Sequence, residues 1–303
     1  MKFTTNHPLD IILKALFEPY KASVPDVSHI TEAMKASKLI ANEDEIINDH
    51  IAFRTLGVPH LGIASLEKIF LAYGYQRMDA YYFEEKKLDA FWYTPPEPQY
   101  PRIFISELRV KDLSPTAQRT IYNYTNAIIT DPVGDLDFEN PESVGHFFYR
   151  PLWQTPALDD FLSLGKESEY AAWVIYNRYY LNHYTISVHA LPEPYNRLES
   201  FNAFLEKNGI VLNTAGGKIK ISADGLLRQS SSVAKMLTAT FANDEQLKIS
   251  GSYVEFAERL PLPEFKHLPK GTLKREHLRE GFESANADKI FESTYTEQTA
   301  KYS

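Results

Sequence analysis

Hydrophobic and polar positions alternate with different periods along the chain, and the changes of period divide it into elements. Residues 8–40 carry apolar side chains at spacings near three and four, which predicts helices. Residues 46–56 (IINDHIAFRTL) alternate like a half-buried strand, and residues 65–75 place apolar side chains on one helical face. Two short strand-like runs and a strand at residues 101–110 follow. This stretch is therefore predicted to be strand, helix, strand, strand, strand (βαβββ).

The same order returns after a middle block with helical periodicity and an acidic loop. Residues 174–191 are strand-like, and residues 196–209 form an amphipathic helix that the Asn208-Gly209 pair would end. Residues 210–214, 219–234 and 251–260 are again predicted as strands. The fold class is therefore α+β, with paired βαβββ modules in a single domain. Its predicted parts are a helical lead-in (1–45), a first module (46–112), a connector or cap (113–170), a second module (171–262) and a tail (263–303).

Composition and charge exclude several classes of function. The chain has 32 basic and 40 acidic residues and no basic tract, so nucleic acid is not an expected partner. It has no cysteine, which excludes disulfides, thiolate metal sites and cysteine nucleophiles and leaves His, Asp and Glu as metal ligands. No apolar stretch of about 18 residues and no secretory signal pattern is present, so no membrane partner and a cytoplasmic location are predicted. The oligomeric state is not predictable from these features.

Two histidines and a glutamate occupy related positions in the two modules. His50 and His183 each lie in the first strand of a module, and Glu255 lies in the last strand of the second. Two imidazoles and one carboxylate form the facial arrangement that non-haem iron(II) oxygenases use, with adjacent positions open for substrate and oxygen. Burial of Glu255 in an apolar run without a partner would be costly, which favours a role as a metal ligand or as the partner of an arginine. We therefore expect these three side chains to bind a metal.

Strand parity adds further candidates on the same face. Arg54 lies four positions after His50, so both side chains leave the same side of a regular strand, and Arg54 could bind a substrate carboxylate. By the same rule Thr185, Ser187 and His189 share the face of His183, and His189 is a rival ligand or a proton donor next to the ligands.

A further segment could line a polar pocket. Residues 215–234 contain paired glycines but lack the strand–turn–helix context of a phosphate loop, so a β-hairpin bend is preferred. Within this segment, Gln229, Ser230 and Ser231 are candidates for the pocket wall.

Other interpretations of these residues remain open at this point. A single histidine in a strand is more often a hydrogen-bonded core residue, and a single arginine is more often an ion-pair partner. Glu107 would be a fourth ligand in an isomerase-type site, although a surface salt bridge is the preferred interpretation for it. A metal-dependent lyase, isomerase or ring-cleaving dioxygenase, and a non-enzymatic binding protein, are therefore alternatives to the oxygenase.

Several longer segments together resemble one known family. DHIAFRTL, LNHYTISVHAL, GGKIKISADGLLRQSSSVA, SGSYVEFAERLPLP and GFESANADKIFEST are similar, in this order, to segments of the 2-oxoadipate dioxygenase/decarboxylase (2-hydroxyglutarate synthase) family. The resemblance extends over about residues 10–295. Longer relatives carry additional sequence after the glutamate strand, where some pocket residues lie, so the resemblance implies the chemistry more directly than the choice of substrate.

The resemblance has implications for fold, metal and reaction. It implies a curved sheet or barrel similar to the vicinal oxygen chelate proteins, with iron(II) at His50, His183 and Glu255 and a substrate carboxylate at Arg54. It also implies a catalytic domain whose partners are a 2-oxo acid and O2, and a reaction that converts 2-oxoadipate to 2-hydroxyglutarate and CO2 in lysine catabolism. The tail at residues 281–294 would either close the pocket or form a helix packed for stability.

Overall fold

The N-terminal part of the chain is a pair of helices, as the periodicity predicts. The computed structural model describes residues 7–302, and the side chains of all of these except residues 270 and 302; residues 1–6 of the predicted lead-in and residue 303 of the tail lie outside it. Helices α1 (Pro8–Ser23) and α2 (Pro25–Ala36) each begin with proline. Proline suits the first helical position because its φ is already helical and the N–H it lacks would have no partner there.

The first module has the predicted order of elements. Its elements are β1 (Asn48–Leu56), α3 (Ile63–Ala72), β2 (Gln76–Phe83), β3 (Leu88–Thr94) and β4 (Arg102–Leu108). The connector that follows is helical, with α4 (Pro115–Thr125), α5 (Pro141–Phe147), α6 (Leu158–Glu167) and α7 (Glu169–Asn177). The βαβββ prediction is therefore confirmed for this half of the chain.

The second module repeats this order with one insertion. Its elements are β5 (Leu181–Ser187), α8 (Leu198–Lys207), β6 (Lys220–Ile221), β7 (Leu227–Ser231) and β10 (Tyr253–Arg259). A hairpin of β8 (Met236–Thr240) and β9 (Gln246–Ser250) forms a separate two-stranded sheet before β10. The tail contains α9 (Ser284–Phe291) and α10 (Thr296–Thr299).

Two local predictions in the second module are wrong. The predicted strand at residues 174–191 begins as helix α7, because the Ser168 hydroxyl caps Ala171 N and the apolar run packs as a buried helix; the strand starts only at Leu181. The predicted strand at 210–214 is reduced to one isolated bridge between Leu212 and Ser232. The predicted helix end at Asn208-Gly209 is confirmed, since Gly209 has a φ of 80°.

The eight-stranded main sheet has the order β2-β3-β4-β1-β5-β10-β7-β6. The first strands of the two modules, β1 and β5, lie antiparallel at its centre. The last strand of each module runs parallel to the first strand of the same module, β4 to β1 and β10 to β5. The two halves of the sheet therefore mirror each other in strand order, and the first strands and β10 are adjacent.

Helices cover one face of this sheet. The rings of Phe17 and Tyr184 lie 5.1 Å apart, and those of Phe201 and Phe256 lie 5.5 Å apart, so α1 and α8 pack against β5 and β10. Tyr184 and Phe256 directly follow His183 and Glu255 in their strands. Because successive strand residues point to opposite faces, His183 and Glu255 point away from this helical layer. No helix in the described part of the chain is both long and apolar enough to cross a membrane.

Candidate metal centre

The three predicted ligands meet on the face of the sheet opposite α1 and α8. His50, His183 and Glu255 lie on the adjacent strands β1, β5 and β10, and each is less than 6% exposed. One potential ligand atom from each lies within 4.8 Å of the others. The sequence-based expectation that these side chains come together is therefore confirmed.

The spacing of the donor atoms suits a single metal ion. Nε2 of His50 lies 3.4 Å from Oε1 of Glu255, and Nε2 of His183 lies 3.1 Å from Oε2. Around an ion with ligand bonds of about 2.0–2.2 Å, donors at right angles lie about 3 Å apart. These distances suit one ion held between the carboxylate and the imidazoles. Two imidazoles with a carboxylate are the set used by non-haem iron(II) oxygenases.

Each histidine is oriented by the residue before it. Nδ1 of His50 lies 2.9 Å from Asp49 Oδ1, and Nδ1 of His183 lies 3.1 Å from Asn182 Oδ1. These contacts direct both Nε2 atoms toward Glu255, as outer partners of metal-binding histidines commonly do. Arg259 donates to both carboxylate oxygens of Asp49, at 2.7 and 2.9 Å, and so fixes Asp49.

The charges of the buried groups support metal binding. Burial opposes ionisation of Glu255, but the two neighbouring imidazoles hold its pKa well below the usual range. Burial lowers the pKa of His183, whereas the Glu255 carboxylate raises that of His50 against the effect of burial. Burial also opposes ionisation of Asp49, but Arg259 holds the pKa of Asp49 well below its usual range. Both carboxylates are therefore anionic, and the ligand set offers a negative oxygen for a cation.

Of the three residues predicted to line a polar pocket, Gln229 and Ser231 lie on the face of the candidate metal ligands and Ser230 does not. Gln229 Nε2 donates to Glu255 Oε1 at 2.7 Å, while its own Oε1 accepts from Asn286 at 3.0 Å. Ser231 is on the same face and lies 2.8 Å from the hydroxyl of Ser293 in the tail. Ser230 points to the opposite face, where its hydroxyl donates to an asparagine of α8, so its predicted pocket role is wrong.

We expect Gln229→Leu to weaken iron(II) binding about 10–100-fold, the usual effect of losing an outer partner of a metal ligand. The physical reason is that Glu255 loses the hydrogen bond that holds one of its oxygens toward the histidines. The measurement is an anaerobic titration of metal-free protein with iron(II) against a competing chelator. Ser230→Ala is the matched control, because Ser230 is the next residue and faces away. Equal affinities for the two variants would contradict a role for Gln229.

His189 does not join the ligands. Strand β5 ends at Ser187, and His189 lies in the short 3-10 helix Val188–Ala190. The alternation of side chains along a strand therefore does not determine the direction in which His189 points. Its Nδ1 accepts a hydrogen bond from the Arg259 N–H at 3.2 Å. Burial lowers the pKa of His189 to about 4, so it is neutral and able to accept. Parity does hold for Thr185, whose hydroxyl lies 3.0 Å from Nε2 of His50.

Within the described residues, Glu107 neither joins the three candidate ligands nor forms a salt bridge. Its carboxylate accepts a hydrogen bond from Ile63 N at 2.7 Å and so caps α3, and burial raises its pKa. The reason follows from the symmetry of the modules. His183 pairs with the residue two before Glu255, and His50 pairs with the residue two before Phe104. Phe104 therefore occupies the position of a fourth ligand, and Glu107 lies an odd number of residues further on.

Arg54 lies in an aromatic cage near the ligands. Its guanidinium donates to Thr294 Oγ1 and to Phe291 O, both at 2.9 Å. The rings of Tyr170, Trp173 and Phe291 surround it at 5.2 to 5.7 Å. Its Nε makes no hydrogen bond, and within the described residues no carboxylate forms an ion pair with it. A buried guanidinium without a carboxylate partner is able to bind an anionic ligand.

A small, mostly apolar cavity adjoins the three ligands. Besides those ligands and Gln229, the cavity is lined by Phe104, Phe282, Ala287, Ile290 and Phe291. The last four belong to the tail, and Phe282 lies edge-on to the His50 ring with centroids 4.8 Å apart. The tail therefore lines the cavity, and α9 contributes three of these four residues.

Sequence reasoning missed the residues that orient the ligands. Asp49 and Asn182 precede the two histidines at the same place in each module, and this repeated pairing was the available signal. The Arg259 contact to Asp49 and the position of Phe282 depend on tertiary packing and had no local signal.

Comparison with known proteins identifies relatives over most of the chain. A family model described as 2-oxoadipate dioxygenase/decarboxylase matches residues 12–271. A curated Arabidopsis thaliana protein with that name, given as chloroplastic, is 43% identical over 271 residues, which are 86% of this chain and 71% of the relative. An Oryza sativa subsp. japonica relative of the same name, given as chloroplastic/amyloplastic, is 45% identical over 270 residues, covering 86% and 72%. The cytoplasmic location predicted for this chain stays a prediction.

Solved structures agree with both the fold and the family. The crystal structure of hydroxyglutarate synthase in complex with 2-oxoadipate from Oryza sativa has a TM-score of 0.86 at 40% identity and covers 95% of this chain and 92% of that one. A glyoxalase superfamily protein from Ralstonia eutropha has a TM-score of 0.70 at 17% identity, covering 94% and 90%, which supports the predicted vicinal-oxygen-chelate-like fold alone. By the family model and the identities of its relatives, the chain belongs to the 2-oxoadipate dioxygenase/decarboxylase family of enzymes.

Proposed function

We propose that this chain is an iron(II)-dependent dioxygenase that converts 2-oxoadipate and O2 to 2-hydroxyglutarate and CO2. The observation that carries the proposal is the buried cluster of His50, His183 and Glu255 beside an apolar cavity. The family membership and the 2-oxoadipate bound to the rice relative support the choice of substrate. The donor set and its spacing support iron(II) as the metal.

The proposed reaction balances with 2-oxoadipate and O2 as its only substrates. The carboxyl group next to the ketone leaves as CO2, and one oxygen atom of O2 enters the new carboxylate at the former keto carbon. The other oxygen atom becomes the hydroxyl on the adjacent carbon. The organic acid supplies all the electrons that reduce O2, so no external reductant is consumed. Iron(II), when bound by the three ligands, supplies open adjacent positions and the redox capacity for this chemistry.

The remaining side chains hold and enclose the reactants. Gln229 keeps Glu255 oriented, and Asp49 keeps His50 oriented through its Nδ1. Phe104 and Phe282 give the cavity apolar walls that exclude water, which strengthens the electrostatic interactions inside it. Arg54 supplies the cation for a carboxylate of the substrate.

Labelled oxygen tests the proposed reaction directly. Iron(II)-loaded protein given 2-oxoadipate is expected to consume O2 and release CO2 in equal amounts, and both atoms of labelled O2 are expected in the 2-hydroxyglutarate. An oxygen electrode and mass spectrometry of the product measure this. Protein treated with chelator and reloaded with zinc is the control, because zinc has no redox chemistry. Turnover with zinc and without O2 consumption would indicate the lyase or isomerase alternative instead.

A further inference from the structure

Two arginines share the carboxylate that orients His50. Arg259 donates to both oxygens of Asp49, at 2.7 and 2.9 Å, and Arg102 donates to the same carboxylate at the longer distance of 3.3 Å. Both guanidiniums belong to buried residues, Arg259 at 1% and Arg102 at 4% exposure. Two buried cations beside one carboxylate are costly unless a second anion balances them.

Glu280 of the tail supplies this second anion. Nε of Arg102 donates to Glu280 Oε2 at 2.6 Å, and Nη2 of Arg102 donates to Oε1, so the guanidinium binds the carboxylate through two parallel contacts. Such bidentate pairs are among the strongest polar contacts in proteins. Arg275 also donates to Glu280 Oε1, at 3.1 Å. Arg102 therefore binds Glu280 closely and Asp49 loosely, which leaves Asp49 Oδ1 to the Nδ1 atom of His50 at 2.9 Å.

The same network fixes the start of the segment that covers the ligands. Arg259 Nη1 donates to the backbone oxygens of the residues on either side of Glu280, both at 2.8 Å. Phe282 follows directly and packs edge-on against the His50 ring. The helix α9, which lines the cavity, begins two residues after Phe282. The ion pairs that orient one candidate metal ligand therefore also hold the tail where it crosses the cavity.

We propose that Glu280 is a positioning residue of the metal centre, which holds Arg102 away from Asp49 and so ties the docking of the tail to the orientation of His50. This inference rests on the proposed function, because it concerns the centre to which that function assigns iron. Without the Glu280 carboxylate, Arg102 would keep only Asp49 as an acidic partner among the described residues.

Two effects would then weaken metal binding. Arg102 would compete with the ring N–H of His50 for the Asp49 carboxylate, so the imidazole would lose part of the contact that directs its other nitrogen to the metal. The network would also carry one more positive charge close to a site for a cation, and buried charges are poorly screened.

The first test compares the iron(II) affinities of two tail variants, by anaerobic titration of metal-free protein against a competing chelator. Glu280→Gln is expected to weaken iron(II) binding about tenfold, the lower end of what loss of an outer partner costs. The Glu280 side chain is 36% exposed, so glutamine should be tolerated. Glu283→Gln is the matched control and should bind like wild type. It removes the same charge from the same segment, but Glu283 accepts from Ala223 N and lies 3.9 Å from Arg279 instead.

The second test separates this role from simple anchoring of the tail. Adding Arg102→Met to Glu280→Gln should restore iron(II) affinity to within about threefold of wild type, because the competing guanidinium is gone and Arg259 still holds Asp49. In metal-free protein, NMR should show the Nδ1 proton of His50 shifted toward weaker hydrogen bonding in Glu280→Gln and returned in the double variant. An anchor alone would leave this proton unchanged and the affinity of the double variant low.

The outcomes distinguish this inference from the proposed function. Unchanged iron(II) affinity in Glu280→Gln, or a double variant that keeps the loss, would overturn the role of Glu280 and leave the proposed centre intact. Wild-type protein that binds no iron would overturn the centre and this role with it.

Discussion

His183→Ala is expected to abolish both stoichiometric iron(II) binding and oxygen uptake with 2-oxoadipate. The substitution removes one of two nitrogen donors and leaves Glu255 with a single imidazole partner. Losing a ligand should reduce metal affinity by more than the roughly 10–100-fold that loss of an outer partner costs. Iron content after anaerobic desalting and an oxygen electrode give the two readouts.

His189→Ala is the control for this variant. It removes another buried imidazole from the same part of the chain, but one that contacts Arg259 N rather than the ligands. It should therefore retain bound iron. Circular dichroism of both variants shows whether each is folded. A folded His183→Ala protein that still binds one iron with wild-type affinity would contradict the proposed centre.

Arg54→Met is expected to lower kcat/KM for 2-oxoadipate about 10²-fold or more while iron binding is retained. Two hydrogen bonds from a guanidinium to a carboxylate contribute about 3 kcal/mol or more together, and each 1.4 kcal/mol is a factor of ten. Methionine fits the aromatic cage and removes a buried cation that has no acid partner in the described chain, so the variant should fold. Steady-state kinetics and iron titration measure the two effects.

Thr294→Val separates substrate binding from the contact that Arg54 makes with the tail. It removes the hydroxyl that accepts from Arg54 and changes the side-chain volume little. If Arg54 only anchors the tail, Thr294→Val and Arg54→Met should show similar losses. If Arg54 binds the substrate carboxylate, Thr294→Val should keep most of the activity.

Periodicity was sufficient for the fold where local pattern and burial agree. The alternation around His50 predicted β1, and the repeated element order predicted that the first strands of both modules would be equivalent. Periodicity failed at residues 174–177, because a short apolar run has the same composition in a buried helix and in a buried strand. The helix was chosen by packing within the connector, which no local pattern records.

The candidate metal ligands were predictable because their chemistry is specific and their strands are central. His50, His183 and Glu255 are three polar side chains that are costly to bury without a partner, and the strand order makes them adjacent. Ser230 was misplaced because it was predicted together with both of its neighbours, and consecutive residues of a strand point to opposite faces. His189 was misplaced because alternation holds only inside a regular strand, and β5 ends at Ser187, two residues before it.

The position of the tail over the ligands could not be predicted from its amino-acid sequence alone. Phe282 and Phe291 are ordinary apolar residues in sequence, and only the folded chain brings them over the ligands.

A crystal structure of the protein grown anaerobically with iron(II), with anomalous scattering recorded at the iron edge, tests the proposed centre most directly. The expected result is one anomalous peak about 2.0–2.2 Å from Nε2 of His50, Nε2 of His183 and a carboxylate oxygen of Glu255. An iron peak bound by other residues, or full iron loading with no peak between these three side chains, would contradict it.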